Sequence, residues 1–152
     1  MKISLGTDHA GFKLKEKVKR LLESLGHEVV DFGTHTTESI DYPDIARPLA
    51  EAVGCGDYPL GILVCSNGVG VSIVANKIQG VRAGLCTDTF TARRARAHTD
   101  CNILCLGGWT IGLGLAMEIV EVFIGTPFEG GSHQRRVNKI NTLDAERAPT
   151  GA

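Results

Sequence analysis

The amino-acid sequence predicts a single α/β domain in which five parallel strands form a doubly wound sheet. The main observation is an alternation of short, nearly continuously apolar runs with segments of helical periodicity. Strands that are apolar along their whole length are typical of parallel sheets covered on both faces. The chain has 152 residues, of which 43% are hydrophobic, enough for one domain with a sizeable core. The predicted strands are 3–5, 29–32, 61–65, 83–86 and 103–106.

Helical spacing of apolar residues fills the intervals between these runs. The first helix carries Leu14, Val18, Leu21, Leu22 and Leu25 on one face and ends at Gly26, a glycine suited to a helix C-terminus. Further helices are predicted over 45–53, 70–78, 88–98, 111–123 and, at the C-terminus, 132–146. With helices on both faces of the sheet, the predicted architecture is Rossmann-like or flavodoxin-like. The domain spans 1–147, and 148–152 has too little apolar content to pack and is expected to be a loose tail.

Charge and composition exclude several classes of partner. The formal net charge is -1, with 16 basic and 17 acidic residues spread along the chain, so no nucleic-acid or membrane partner is expected. The sequence opens directly on a strand-like segment without the pattern of a leader peptide, and a cytoplasmic location is expected. The five cysteines are an odd number and lie in or beside apolar runs or in a glycine-rich turn, which favours reduced thiols.

An aspartate and a histidine follow the first strand. Asp8 and His9 stand in the segment 6–11, at the edge where doubly wound sheets bind ligands. Such a pair suits hydroxyl binding or proton transfer. The alternative is that Asp8 caps the first helix and His9 is merely exposed.

A thiol and a glycine-bearing turn follow the third strand. Cys65, Ser66, Asn67, Gly68, Val69 and Gly70 would present backbone N–H groups to an anion and favour a reactive thiolate. The alternative is an inert, buried cysteine at the end of an apolar strand. A phosphatase loop would need an arginine at position 71, which is valine, and a Walker loop would need a Lys-Ser/Thr pair after its glycines.

A second polar cluster precedes the fifth strand. It comprises His98, Thr99, Asp100, Cys101 and Asn102, and His98 could act in catalysis or simply as a cation at a helix C-terminus. Cys101 and Cys105 lie too far from a Cys-x-x-Cys pattern to suggest zinc. No metal ion is therefore expected.

Taken in order, the motifs resemble those of the ribose-5-phosphate isomerase B family, which includes allose-6-phosphate and galactose-6-phosphate isomerases. The resemblance covers nearly the whole chain with matching spacing. It is carried by the segments 6–12, 41–44, 65–70, 72–73, 75–77, 80–83 and 128–131.

The resemblance implies an aldose–ketose isomerase that acts on a small sugar phosphate and requires neither a metal ion nor an organic cofactor. It assigns the catalytic cysteine to Cys65, the ring-opening acid/base to His98 and a substrate-binding pair to Asp8 and His9. The turn from Ser66 through Asn67, Gly68 and Val69 to Gly70 would stabilise a cis-enediolate intermediate through its N–H groups. The family also implies sites shared between subunits, hence a homodimer or a dimer of dimers in which His98 serves the Cys65 of its neighbour.

Four positions depart from the family pattern. Asn67 and Thr99 replace other small polar residues of the family pattern. Trp109 and Ser132 stand where the family has phosphate-binding arginines, so of these arginines only Arg136 remains. Each lost guanidinium contact is worth about 1.5–3 kcal/mol. Three hypotheses follow: a ribose 5-phosphate isomerase that holds phosphate differently, an isomerase of another tetrose, hexose or unphosphorylated sugar, and a sugar-phosphate-binding module without catalysis.

Overall fold

The computed structural model, which describes residues 1–147, contains five strands and six helices in strict order along the chain. The elements are β1 (Lys2–Thr7), α1 (Phe12–Ser24), β2 (Glu28–Asp31), α2 (Tyr42–Gly54), β3 (Leu60–Cys65), α3 (Val69–Ala75), β4 (Ala83–Leu85), α4 (Thr89–Thr99), β5 (Ile103–Gly107), α5 (Leu113–Gly125) and α6 (Ser132–Arg147). The tail predicted at 148–152 lies outside the described residues.

The strands form one fully parallel sheet in the order β2-β1-β3-β5-β4, which confirms the predicted fold class. β3 lies at the centre, with Ile3 to Thr7 of β1 on one side and Ile103 to Gly107 of β5 on the other. The short strand β4 closes one edge and pairs only with β5 among the described residues. The motifs themselves did not predict that β5, rather than β4, lies beside β3.

Side chains alternate between the two faces of the sheet and build two cores. One core joins α1 and α5 to the sheet through Val18, Leu22, Ile119 and Phe123, together with Ile62 of β3. The other joins α2 and α3 to Leu63, Cys65, Ile103 and Cys105. Helices thus cover both faces, and each fully buried aliphatic side chain stabilises the fold by about 1.5–3 kcal/mol.

The predicted helix boundaries differ from the observed ones by a few residues. α3 ends at Ala75 rather than at residue 78, and α5 spans Leu113–Gly125 instead of 111–123. The buried face of α5 consists of Ala116, Ile119, Val120 and Phe123, whereas Leu115 is exposed.

The C-terminal helix α6 packs on the domain with only part of its apolar face. Val137 is buried and Asp144 accepts a hydrogen bond from the Gly80 N–H at 2.9 Å, but Ile140 and Leu143 are 43% and 48% exposed. None of the helices among the described residues has the length and apolarity needed to cross a membrane. The cytoplasmic location stays a prediction.

A buried ion pair joins α1 to the end of β2. The Lys15 side chain is fully buried, and its Nζ donates to both carboxylate oxygens of Asp31, at 3.0 and 2.8 Å, and to the Thr34 carbonyl at 2.8 Å. Burial would raise the pKa of Asp31, but the hydrogen bonds from Lys15 and the Gly33 N–H outweigh it, and the pKa is lowered. The pair is satisfied on both sides, as a buried charge requires.

We expect Lys15→Met to destabilise the domain by about 3–5 kcal/mol, because it leaves the Asp31 carboxylate buried without its main partner. Urea unfolding at neutral pH measures the change, and Lys13→Met, on the exposed side of α1, is the matched control. The stability that Asp31 contributes is present above its unfolded-state pKa of about 3.9 and is lost as the pH falls through its lower folded value. The difference in unfolding free energy between the parent and Lys15→Met should therefore become smaller at acid pH. A difference that does not depend on pH would contradict the stabilising role of the ion pair.

Candidate active site

Three turns meet where β1, β3 and β5 end. The Gly108 N–H donates to the Cys65 carbonyl at 2.8 Å, and the Trp109 N–H donates to the Ser66 carbonyl at 2.9 Å. A Cβ atom on Gly108 would lie 3.3 Å from the Gly11 Cα, so the turn after β1 also abuts this point. We call this region, where the strands end, the carboxyl edge of the sheet.

Cys65 lies at the floor of the carboxyl edge, with 4% of its surface exposed. Its Sγ accepts a hydrogen bond from the Gly68 N–H at 3.0 Å, an interaction that is stronger for a thiolate than for a thiol. The Asn67 Oδ1 accepts from the Val69 N–H at 3.0 Å and lies 4.0 Å from the sulfur. The turn therefore curls around the sulfur and points a backbone donor at it.

Gly68 is required by the shape of this turn. Its φ angle is +80°, in the left-handed region that favours glycine. A Cβ there would lie 2.4 Å from the Leu85 Cδ1 and 3.0 Å from the Leu106 carbonyl carbon. The donor that reaches Cys65 can therefore be placed only by glycine.

Asp8 and His9 lie at the same edge. The Asp8 carboxylate is almost buried, and its Oδ1 accepts from the N–H groups of Ala10 and Gly11 at 3.0 and 3.2 Å. These groups precede α1, whose N-cap is Gly11, so Asp8 stabilises the turn before the helix and does not itself cap it. The His9 Nδ1 accepts from the Ile40 N–H at 3.2 Å. A histidine that accepts at Nδ1 carries its proton on Nε2, which leaves an N–H donor for a ligand hydroxyl.

Of the predicted site residues outside the turn from Cys65 to Gly70, Trp109 lies beside that turn. Its backbone is fixed by the hydrogen bond to Ser66, and its side chain is 75% exposed. Ser66 and Gly70 are half-buried, and Asn67 and Val69 are exposed. A Cβ on Gly70 would lie 2.7 Å from the Tyr42 ring, so this tyrosine, which the sequence did not single out, forms one wall of the site.

His98 lies at the opposite edge of the sheet, which we call the amino edge. α4 runs from the end of β4 to the start of β5, and its C-terminus carries His98 just before Ile103. Ile103 pairs with Gly61 and Gly107 with Cys65. Cys65 lies four residues beyond Gly61 along β3, and at a rise of about 3.3 Å per residue it is roughly 13 Å from the strand end near His98. Within one chain, His98 and Cys65 therefore cannot act on the same small molecule.

The remaining predicted residues gather at the amino edge around His98. Ser132 begins α6 and is exposed, and Arg136 is exposed one turn later, close enough for its charge to affect His98. The Thr99 hydroxyl donates to the Ala95 carbonyl at 2.7 Å and lies 3.3 Å from the Cys101 Sγ, so the end of its own helix already occupies it.

His98 is sandwiched between two groups. The His133 ring stacks on it with 3.9 Å between centroids and 16° between planes. The Arg94 Nη1 lies nearly equidistant from the two ring nitrogens of His98, at 3.2 and 2.9 Å, a position over the ring face. Removal from water, His133 and Arg94 lower the pKa of His98, while Glu129, 3.5 Å away, opposes them. The ring is therefore held neutral near physiological pH, a form that can take up a proton.

A salt-bridge network anchors the helix end that carries His98. The Asp100 carboxylate pairs with Arg82 at 3.1 Å and with Arg96 at 2.8 Å. Glu129 is placed by its backbone, whose N–H donates to the Ala97 carbonyl at 3.0 Å. The sequence signal that could have revealed the pairing of Glu129 with His133 is their i,i+4 spacing across the start of α6.

Comparison with known proteins assigns the chain to a family. The model of the family described as Ribose/Galactose Isomerase matches residues 3–140. The chain belongs to the ribose/galactose isomerase family.

Named relatives narrow the assignment. The chain is 44% identical over 146 residues to ribose-5-phosphate isomerase B of Escherichia coli, covering 96% of this chain and 98% of that protein. A structure of Clostridium thermocellum ribose-5-phosphate isomerase B superposes with a TM-score of 0.95 at 46% identity, covering 97% and 100% of the two chains. D-erythrulose-4-phosphate isomerase of Pectobacterium atrosepticum is 40% identical, over 92% of this chain and 93% of that protein. This ribose/galactose isomerase family member is thus an aldose–ketose isomerase of the ribose-5-phosphate isomerase B type.

We expect Arg94→Met to raise the pKa of His98 and Glu129→Gln to lower it, because the first variant removes a positive neighbour and the second a negative one. Proton NMR titration of the imidazole resonances measures both shifts, with His98→Asn identifying the peak. Arg93→Met, the adjacent exposed arginine, is the matched control and should leave the titration unchanged. Equal shifts from Arg93 and Arg94 would show that only net charge, and not the stacked contact, acts on His98.

Proposed function

We propose that this isomerase interconverts a five-carbon aldose phosphate, ribose 5-phosphate, with its ketose, ribulose 5-phosphate, at sites shared between two copies of the chain. The observation that carries the proposal is the separation of Cys65 at the carboxyl edge from His98 at the amino edge. Each edge offers half of the chemistry that the reaction needs, and a second copy can supply the other half.

The carboxyl edge supplies the proton transfer between carbons. Cys65, as thiolate, takes the proton from carbon two of the open-chain aldose, and the electron pair moves toward the carbonyl to give a cis-enediolate. The same proton returns to carbon one, and the hydroxyl proton on the oxygen at carbon two passes to the oxygen at carbon one, so that the ketose carbonyl forms at carbon two. The N–H groups of the turn that are not already donated to the Cys65 Sγ or the Asn67 Oδ1 favour the developing negative charge. The substrate carbonyl itself acidifies the C–H, so no cofactor enters the step.

Asp8 and His9 suit the hydroxyl groups of the sugar. One Asp8 oxygen is engaged by backbone N–H groups, which fixes the carboxylate, and His9 offers Nε2–H as a donor. Trp109 adds a flat apolar face beside the turn, against which the C–H face of a sugar can pack. Together these groups orient the chain of carbons over Cys65.

The amino edge supplies ring opening and the recognition of charge. His98, held neutral, takes a proton from the ring hydroxyl at carbon one and delivers it to the ring oxygen as the furanose opens. Arg94 and Arg136 both push the pKa of His98 downward, which marks a positive potential at this edge. That potential favours a phosphorylated substrate even though Trp109 and Ser132 contribute no guanidinium.

A homodimer, or a dimer of dimers, completes the site. Exposed apolar side chains of α3 and α4 lie near the carboxyl edge, among them Ile73 at 55% and Phe90 at 66% exposed, and α6 presents Ile140 and Leu143. Burying such side chains against a second copy provides the driving force for association.

Mixing two inactive variants tests the shared site. We expect Cys65→Ala and His98→Ala each to lower kcat by roughly 10²- to 10⁴-fold, the usual contribution of a general acid or base. A symmetric dimer made from one chain of each variant has one site with both native groups and one site with neither. After subunit exchange at equal amounts, half of the dimers are mixed, so activity should return to about one quarter of the parent's.

The control for this mixture is Cys65→Ala combined with the double variant Cys65→Ala/His98→Ala, which contains no native Cys65 and should stay inactive. Sedimentation of each variant confirms that it still associates. A mixture of well-folded, exchanging single variants that regains no activity would contradict the shared site.

A substrate panel tests the sugar. We expect ribose 5-phosphate to give a higher kcat/KM than ribose and than four- or six-carbon aldose phosphates, because the positive amino edge binds the phosphate and the distance to Cys65 fixes the chain length. Relatedness to the D-erythrulose-4-phosphate isomerase favours a second candidate, a four-carbon sugar phosphate. A four-carbon phosphate with the highest kcat/KM would select that candidate; unphosphorylated sugars performing equally well would contradict both. Binding of sugar phosphates without turnover of any of them would indicate a binding module.

A further inference from the structure

Beyond the isomerase reaction, we propose that His98, Glu129 and His133 form a binding site for a divalent transition-metal ion such as Zn²⁺, and that the bound ion inhibits the enzyme. Inhibition rests on the proposed function, since it follows only if His98 opens the sugar ring. Metal binding itself does not depend on that role.

The three ligand atoms have the spacing that a zinc ion needs. The Glu129 Oε2 lies 3.5 Å from the His98 Nε2 and 3.6 Å from the His133 Nε2. A tetrahedral ion with Zn–N bonds of about 2.0–2.1 Å and Zn–O bonds of about 2.0–2.2 Å holds neighbouring ligand atoms about 3.3–3.5 Å apart. All three atoms lie within 4.8 Å of one another, and two imidazoles with one carboxylate are a common zinc ligand set.

The backbone around the cluster is already in place. The Glu129 N–H donates to the Ala97 carbonyl, directly before His98, at 3.0 Å, and the His133 N–H donates to the Gly130 carbonyl at 3.0 Å. The two imidazole rings are stacked nearly parallel, so binding requires them to tilt until their lone pairs converge. The Glu129–Ala97 hydrogen bond already holds the two segments together, so this convergence requires only rotation of the side chains.

The surrounding charges set the strength of the site. Glu129 supplies the one negative charge of the triad, while Arg94 lies on the His98 ring and Arg136 is close by. These guanidinium groups repel a cation, so the site should bind weakly and reversibly. The fourth coordination position of the ion stays open to water or to a substrate oxygen.

Occupation would remove the reactive group of His98. A metal ion bonded to Nε2 takes the lone pair that would accept a proton from the sugar. Metal and substrate would therefore compete at the amino edge, and the enzyme would lose activity when free zinc rises.

Titration of the metal-free protein with Co²⁺, followed by displacement with Zn²⁺, tests binding. We expect one ion for each chain, with an absorption spectrum that lacks the thiolate-to-cobalt charge-transfer band. Glu129→Gln and His133→Ala should each weaken binding by at least about 10- to 100-fold, since even the loss of an outer-shell partner costs that much. Arg94→Met should tighten it, because a positive neighbour is removed.

The matched controls are Glu118→Gln, at an exposed position of α5, and His27→Ala, near the N-terminus. Both should bind the metal ion as the parent does. Equal binding by the parent, Glu129→Gln and His133→Ala would overturn the proposal, as would a thiolate band in the cobalt spectrum. Reversal of zinc inhibition by a chelator would support the proposal that the bound ion inhibits the enzyme. Zinc that binds to His98, Glu129 and His133 without lowering kcat/KM would overturn that part of the proposal. An absence of isomerase activity in the metal-free protein would contradict the proposed function and leave the binding result standing.

Discussion

The parallel register of the sheet is the constraint on which the site depends. When every strand runs in the same direction, the turns after β1, β3 and β5 converge at one edge, and the segments that lead back into strands collect at the other. Cys65 lies with the first group and His98 with the second, because Cys65 is the last residue of a strand and His98 lies at the C-terminal end of a helix. A single chain therefore carries two separate clusters of candidate site residues, one at each edge of the sheet.

Local pattern predicted much of the molecule. Each predicted strand lies within two residues of the observed one at both ends, and the glycine-bearing turn after β3 was located because its residue types have few alternative conformations. Sheet order, by contrast, depends on which strands pair across long loops, and no short pattern encodes the exchange of β4 and β5. The predicted end of α3 was wrong because apolar Ile78 lies past the last turn of the helix, and the predicted start of α5 was wrong because apolar Ile111 precedes the N-cap residue Gly112.

The candidate site shows the same division. Asp8, His9 and the turn from Cys65 to Gly70 could be placed together because they are close to strand ends. The stacking of His98 with His133 and the approach of Glu129 arise from the packing of α6 on α4, a tertiary contact between segments more than 30 residues apart. Likewise, Lys15 stands between Leu14 and Glu16 in an ordinary amphipathic helix, and only the fold shows that it is fully buried.

Trp109 gives the carboxyl edge an optical property. It is the one tryptophan in the sequence, its indole is largely in water, and its backbone is bonded to the turn that begins at Cys65. The intrinsic fluorescence of the whole protein is therefore dominated by a residue beside the turn that carries Cys65. A sugar or a second subunit that covers this indole would transfer it to a drier environment and shift its emission toward the blue. The native chain thus carries its own reporter of site occupancy, without any label.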